Sequence, residues 1–543
     1  MNASLSQPND APASRQWRHY LLDPPQRGWQ RWWDWAADHV NPIVIKEVRQ
    51  ALKSRQFSIS FCSTLIVAFV WTIAYIAVNV PRIYFLPSGH SLLVGYLIIL
   101  TFPLVVVIPY GAFRSLCAET EDSTFELLSI SGLSAVQIVQ GKLASSCLQV
   151  MLYLSAMTPC IVLTYLLRGL DLLTTILFLV LTMLLSLTAT VVGLTVGAIA
   201  KGKLMQLGVS VMLLTVLLIV FAYWMGFTAA AIGYAAFRGG ESIAWLVALG
   251  IGSILLAGNA TLVRAAAAAI DFPTENHTTA IRHRLLVLTI LITFWQFLLY
   301  GSVSDQGPVI NAFLTMHTAI IAIIGAIMMG EKGILSPRAQ RTLPQTFLGR
   351  MFRSWFYPGA GLGYLFLISL HSAQVIATGA FDVYCRNTTT NLWGTESVLL
   401  VGIACMAYLA LYLGLTRLLM LLIPLSVPLR KLWSLFIFML LLAILHLGPL
   451  TAAFYWHDYR SFDYGMHQVF NVPWTITEIM SSGWVTTAPA LTLLAVLAGV
   501  VFLINLSFTT RDVMLIRIAA PPPADDPRQA SLGSAKVVDP FAD

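Results

Sequence analysis

The sequence predicts an all-α membrane protein, a bundle of about twelve spanning helices. Two observations predict it. Of 543 residues, 57% are hydrophobic and only 10% are charged, against roughly 25% charged in soluble domains. The apolar residues also fall in blocks of about twenty, the length that crosses a hydrocarbon core of about 30 Å. Inside lipid each block must satisfy its own backbone hydrogen bonds, so each reads as a helix.

The first six blocks cover 57–80, 92–113, 144–166, 172–199, 204–225 and 243–263. The second six cover 285–302, 308–330, 359–381, 397–423, 432–455 and 486–508. No cleavable signal is expected, because a polar, aromatic and basic leader of about fifty residues precedes the first block. With both termini in the cytoplasm, 27 of the 32 Lys and Arg residues fall on the inner side. Arg82, Arg168, Arg238, Arg386 and Arg460 are left outside. This bias sets the expected orientation and places the chain in the cell's inner membrane as a multi-pass protein. The net charge of +7 is then a topology signal. No separate basic patch with interleaved aromatics points to nucleic acid. Cys385 is the one external cysteine and no C-x-x-C occurs, so neither an external disulfide nor a zinc site is expected.

The chain divides as follows. Residues 1–40 form a mobile, then interfacial, leader with Trp29, Trp32, Trp33 and Trp35 suited to the membrane boundary. Residues 41–56 begin with Asn41-Pro42, a helix N-cap and first position. Ile45, Val48 and Leu52 share one face there, while Lys46, Arg49, Lys53 and Arg55 cover the rest. That pattern predicts a basic amphipathic helix on the membrane surface. Residues 57–263 hold the first six spans, 264–284 a cytoplasmic linker, 285–508 the second six spans and 509–543 a polar tail.

The cytoplasmic loop 114–143 is predicted to be structured. Ser123-Thr124-Phe125-Glu126 and Ser134-Ala135-Val136-Gln137 both match a capping box. A short helix should start at the first and stop at Gly132, and the second should open a helix running past Lys142 into the third span. Glu119, Glu121, Asp122 and Glu126 make the approach acidic, while Phe125, Leu127 and Leu128 add apolar contacts. A solvated acidic face is the plain reading of such a run; a knob that docks into a partner is the functional one.

These segments resemble the permeases of type-2 ABC exporters. The stretch from Asn41 to Leu52 is similar to their opening surface helix, including Lys46, Glu47 and Arg49. The stretch 119–128 followed by Gly141-Lys142-Leu143 is similar to their cytoplasmic segment of form E-R-E-x-G-T-x-E-x-L, Thr-Pro, Gly-Lys. The match carries Glu119, Glu121, Thr124, Glu126, Leu127, Gly141 and Lys142. Thr120, Ser123 and Ser131-Gly132 depart from it. The resemblance covers about 41–263. It implies a coupling helix over 119–132 that docks into a cytoplasmic ABC ATPase subunit. It implies that this chain is no enzyme and binds no cofactor, ATP being held by the partner subunit. Consistent with this, no G-x-x-x-x-G-K-[ST] occurs.

A parallel spacing raises a duplication: loop 331–358 also follows the second span of its set and carries Gly349-Arg350-Met351. External excursions are expected at 226–242 and 456–485. If the halves are not repeats, a second permease chain could complete the pathway. Two other classes compete. An ion-coupled secondary transporter needs ionisable groups deep in the spans. None of the twelve blocks has a central Asp, Glu or Lys; Arg417 is expected to snorkel, and His317, His371 and His446 to be packed singly. A membrane-embedded transferase would use His457, Asp458, Asp463, His467 and Glu478 of the last external loop, where aromatic residues predict short interfacial helices instead.

Overall fold

The computed structural model describes residues 42–121, 134–167, 172–200, 202–238, 242–271, 278–300, 306–331, 333, 344, 346–388, 396–423, 427–456, 464–482 and 484–517. The protein is all-helical. Among the described residues twelve helices are long and apolar enough to cross a membrane, and they correspond one for one to the blocks read from the sequence.

A surface helix, α1 (Pro42–Lys53), comes first. Ser54 breaks it from α2 (Arg55–Asn79), its side chain capping Phe57 N. The second span is α3 (Gly89–Phe102) and α4 (Ile108–Glu121), joined by a π-helical turn over Pro103–Val107. Pro103 lacks the N–H that an unbroken α-helix would use. The widened turn is held from outside by Ser186, which donates to Leu104 O at 2.6 Å. The third to sixth spans are α5 (Ala135–Leu166), α6 (Leu172–Ile199), α7 (Lys203–Arg238) and α8 (Ser242–Ile270). The second set is α9 (Thr278–Tyr300), α10 (Gln306–Met328), α12 (Ala360–Thr388), α13 (Glu396–Leu422), α14 (Val427–Trp456) and α16 (Trp484–Arg517). Short α11 (Phe347–Ser354) precedes α12, and short α15 (Val472–Ser482) precedes α16.

Each half has its own core. In the first, α6 packs between α4 and α8, and α1 lies along α5. In the second, α13 is the central helix, packed on α16, α10, α12 and α14. The halves join where α8 meets α9, with Ile254, Leu288 and Ile292 buried at the seam. Helices α2, α7 and α14 bury the smallest share of their spans and present long apolar faces outward, as lipid requires.

Three expectations shift. Residues 226–238 do not leave the fifth span but extend α7 as one helix. The polar residues from Arg114 to Glu121 continue the second span beyond its apolar block. Gly349-Arg350 sits inside separate α11, whereas Gly141-Lys142 sits inside spanning α5, so these two sequences are not equivalent in place.

One close crossing deserves a test. A Cβ at Gly330 would meet Lys431 Cα and Arg430 O at 2.6 Å, whereas one at Gly448 meets nothing within 4 Å. Gly330→Ala should therefore lower the stability of the detergent-solubilised protein by about 1–3 kcal/mol through overpacking. Gly448→Ala should leave it unchanged or raise it by about 0.5–1 kcal/mol. Thermal unfolding of both variants checks the crossing.

Candidate functional site

The base of the first six spans is tied by a buried ionic cluster. Its centre is Lys142, with only 3% of its surface exposed. The Lys142 ammonium lies 3.0 Å from Glu47 Oε1 and 3.1 Å from Glu119 Oε2, and it donates to Ser115 Oγ at 2.7 Å. Ser115 in turn donates to Glu47 Oε2 at 3.2 Å. Lys46, half exposed, adds a contact to Glu119 Oε1 at 3.3 Å.

Local structure explains why these groups meet. Ser134 and Gln137 form the expected capping box, with Gln137 N donating to Ser134 Oγ at 3.3 Å and Ser134 N to Gln137 Oε1 at 2.9 Å. The helix therefore starts well before the apolar block, and Lys142 rides about two turns in. Ser115 and Glu119 are one turn apart on α4 and share a face. Glu47 enters from α1, where Ile43 and Glu47 are the buried positions and Ile45 is 40% exposed. The face of α1 that meets protein is thus centred on Ile43 and Glu47; of the Ile45, Val48 and Leu52 stripe, Ile45 is exposed while Val48 and Leu52 are half-buried. Taking one lysine and two carboxylates out of water costs several kcal/mol per ion. Close geometry and the Ser115 hydroxyl recover much of that cost.

Of the residues singled out from the sequence, Lys46, Glu47, Glu119 and Lys142 converge on this cluster, with Gly141 buried beside it. Arg49 points outward on α1, Pro42 opens that helix, and Glu121 ends α4. Asn41, Thr124, Phe125, Glu126, Leu127 and Leu128 lie outside the described residues. Ser115 was not singled out, although its spacing from Glu119 was a signal. Together the contacts hold the two ends of segment 120–141 to each other and to the surface helix.

A second cluster ties the base of the other half. Arg282, on α9, lies 3.3 Å from Glu331 and donates to Trp355 O at 2.7 Å and Gly359 O at 3.2 Å. Thr278 Oγ1 and Gly359 N donate to the same Glu331 carboxylate at 3.0 and 3.3 Å. Here too the acid follows the second span of the set. The cation, however, comes from the first span and not the third. Of the basic loop that Glu331 opens, Lys332, Arg338 and Arg341 lie outside the described residues.

Polar groups in the second half also depart from expectation. Arg417 does not snorkel. It is 1% exposed and donates to Asn505 O at 2.9 Å and Thr509 Oγ1 at 2.8 Å. His317 and His371 are a pair, their Nδ1 atoms 3.1 Å apart, with Thr289 Oγ1 2.8 Å from His317 Nε2. Asp382, outside the expected ninth block, is buried within α12. In the stretch 456–485, His457, Asp458 and Asp463 lie outside the described residues. The rest forms a short helix over Met466–Phe470 and α15, tied to α13 through Tyr412 OH donating to Phe470 O at 2.6 Å. Burial holds the Tyr464 phenol above its ordinary pKa, with Glu478 adding to the effect and the Thr475 hydrogen bond opposing it. Among the described residues no group of His, Cys, Asp and Glu has the arrangement to hold a metal ion. Comparison with known proteins gives no match: no family model, no curated protein and no solved structure aligns with the chain.

The cluster predicts a graded response. Lys142→Met leaves two buried carboxylates facing each other and should cost about 3–5 kcal/mol. Adding Glu47→Gln to that variant should recover part of the loss. Lys46→Met, at the exposed rim, should cost at most about 1 kcal/mol. Unfolding in denaturant, compared across the three variants, checks the order.

Proposed function

We propose that this multi-pass helical membrane protein is the permease subunit of an ATP-driven exporter of the ABC type, working with a separate cytoplasmic ATPase. The observation that carries the reading is the Glu47–Lys142–Glu119 cluster. The segment resembling a coupling helix is bracketed by Glu119 and Lys142. Those two residues are 3.1 Å apart and share their charge with the surface helix.

The mechanism follows from that geometry. Glu119 and Lys142 bracket segment 120–141. An ATPase that grips it applies force to α4 and α5 together. Phe125, Leu127 and Leu128 would give apolar docking, and Glu121, Thr124 and Glu126 the polar contacts. Closure of the ATPase pair shifts the permease only if it binds the segment differently in the two conformations. The repacked second and third spans then open a path outward or into the far leaflet. The predominantly apolar spans favour lipid-like or amphipathic cargo. In this reading the chain sits in the inner membrane with both termini inside. If the second cluster marks a duplicated unit, one chain serves two ATPase subunits; otherwise it pairs with a second permease chain.

A second reading rests on a specific observation. The His317–His371 pair, hydrogen-bonded to Thr289 inside the second half, is the kind of buried titratable group that proton-coupled carriers use. The two readings separate cleanly. Replacing Glu126 by Lys and Leu127 by Asp should abolish co-purification of the ATPase and ATP-dependent transport, while leaving the bundle folded. Undiminished association and transport would contradict the docking role. Transport that persists without ATP but stops when the proton gradient is dissipated would favour the carrier reading.

A further inference from the structure

Above the ionic cluster the first half contains a cavity of about 340 Å³ between α1, α2, α4 and α5. Its floor is the cluster itself, with Glu47, Ser115 and Lys142 in the wall. Its upper end is reached by Ser60 and Tyr153, which hydrogen-bond to each other at 2.7 Å. Ser60 lies about 10 Å along the helix axis from Ser54, and Gln149 about the same from Lys142. The cavity therefore runs from the level of the surface helix into the depth of the lipid chains.

Arg114 and Gln56 are exposed near the level of the surface helix, and Gln149 is half-buried deeper in the cavity. Among the described residues Arg114 has no ion pair, and Gln56 and Gln149 have no side-chain hydrogen bond, although all three line the cavity. The floor is not short of charge: Lys142 is matched by Glu47 and Glu119, so the cluster leaves no cation for a ligand. Arg114 is thus the cavity's unmatched charge, flanked by amides that can both donate and accept. The outer wall is α2, which has one of the smallest buried shares of any span and faces lipid along most of its length. Phe57, Val107 and Ile108 supply an apolar margin.

We propose that this cavity binds the headgroup of an anionic phospholipid from the leaflet that meets α1. The guanidinium of Arg114 pairs with the lipid phosphate, for which its planar fork is suited. Gln149 and Gln56 take the remaining headgroup polar atoms. The acyl chains leave past Phe57 along α2. The site holds whether or not an ATPase drives the chain, since it depends only on the cavity wall.

The test uses the full-length protein, delipidated in detergent and titrated with phosphatidylglycerol or phosphatidylcholine, with bound lipid read by native mass spectrometry. The wild type should retain phosphatidylglycerol in preference to phosphatidylcholine. Arg114→Gln should weaken that retention about tenfold, the loss of one hydrogen bond to a charged group. Arg114→Lys should keep most of it, and Lys53→Gln, on the same membrane face but outside the cavity, should match the wild type. If Arg114→Gln fails to fold, Gln149→Leu provides the second reading and should lose retention several-fold. Equal retention of the two lipids by the wild type would overturn the proposal. So would wild-type binding by both cavity variants. Displacement of the lipid by excess inorganic phosphate would assign the cavity to a free anion instead.

Discussion

The first half depends on one lysine held between two carboxylates. Lys142 belongs to the third span, Glu119 to the second and Glu47 to the surface helix. Three separate helices thus share a single buried ionic contact. Removing a charge from water is expensive, and the cost is recovered only when all partners are present and close. The contact therefore acts as a condition: α1, α4 and α5 are arranged together or the charges stay unpaired. The two histidines, the Arg417 network and the short helices over 466–482 belong to a bundle held by such contacts and by apolar packing.

The same constraint recurs in the second half with different parts. Glu331 follows α10 and Glu119 lies in the last turn of α4, and each acid meets a buried cation within 3.3 Å. Yet Arg282 comes from the first span of its set and gathers backbone carbonyls from the chain just before the third. A carboxylate at the end of the second span is the shared feature; the cation and the flanking segment are not. The two bases are thus alike in the placing of the acid and unlike in the rest of their parts.

Most of the architecture was legible in the sequence because lipid imposes a single length scale. Twelve apolar blocks gave twelve helices. The early start of α5 was legible too, since Ser134 and Gln137 carry the capping box that begins it. What hydropathy could not show is where a spanning helix continues in polar residues: Arg114 to Glu121 extend α4, and Gly226 to Arg238 extend α7. Pairings were hidden for another reason. Glu47 and Lys142 are 95 residues apart, and a sequence read locally has no term for that contact. Arg417 looked like a residue that reaches for the surface, because its acceptors, Asn505 and Thr509, lie on a helix 88 and 92 residues further on. The two histidines looked solitary for the same reason.

Lys142 joins α1 to the start of α5, and the two should therefore move as one body. Pulsed electron paramagnetic resonance between spin labels at Arg49 and Gln140, both exposed, measures this directly once the native cysteines are replaced. A single narrow distance distribution is expected with the cluster intact and a broad one when Lys142 is replaced by Met. A broad distribution with the cluster intact, or a narrow one that survives loss of the lysine, would contradict it.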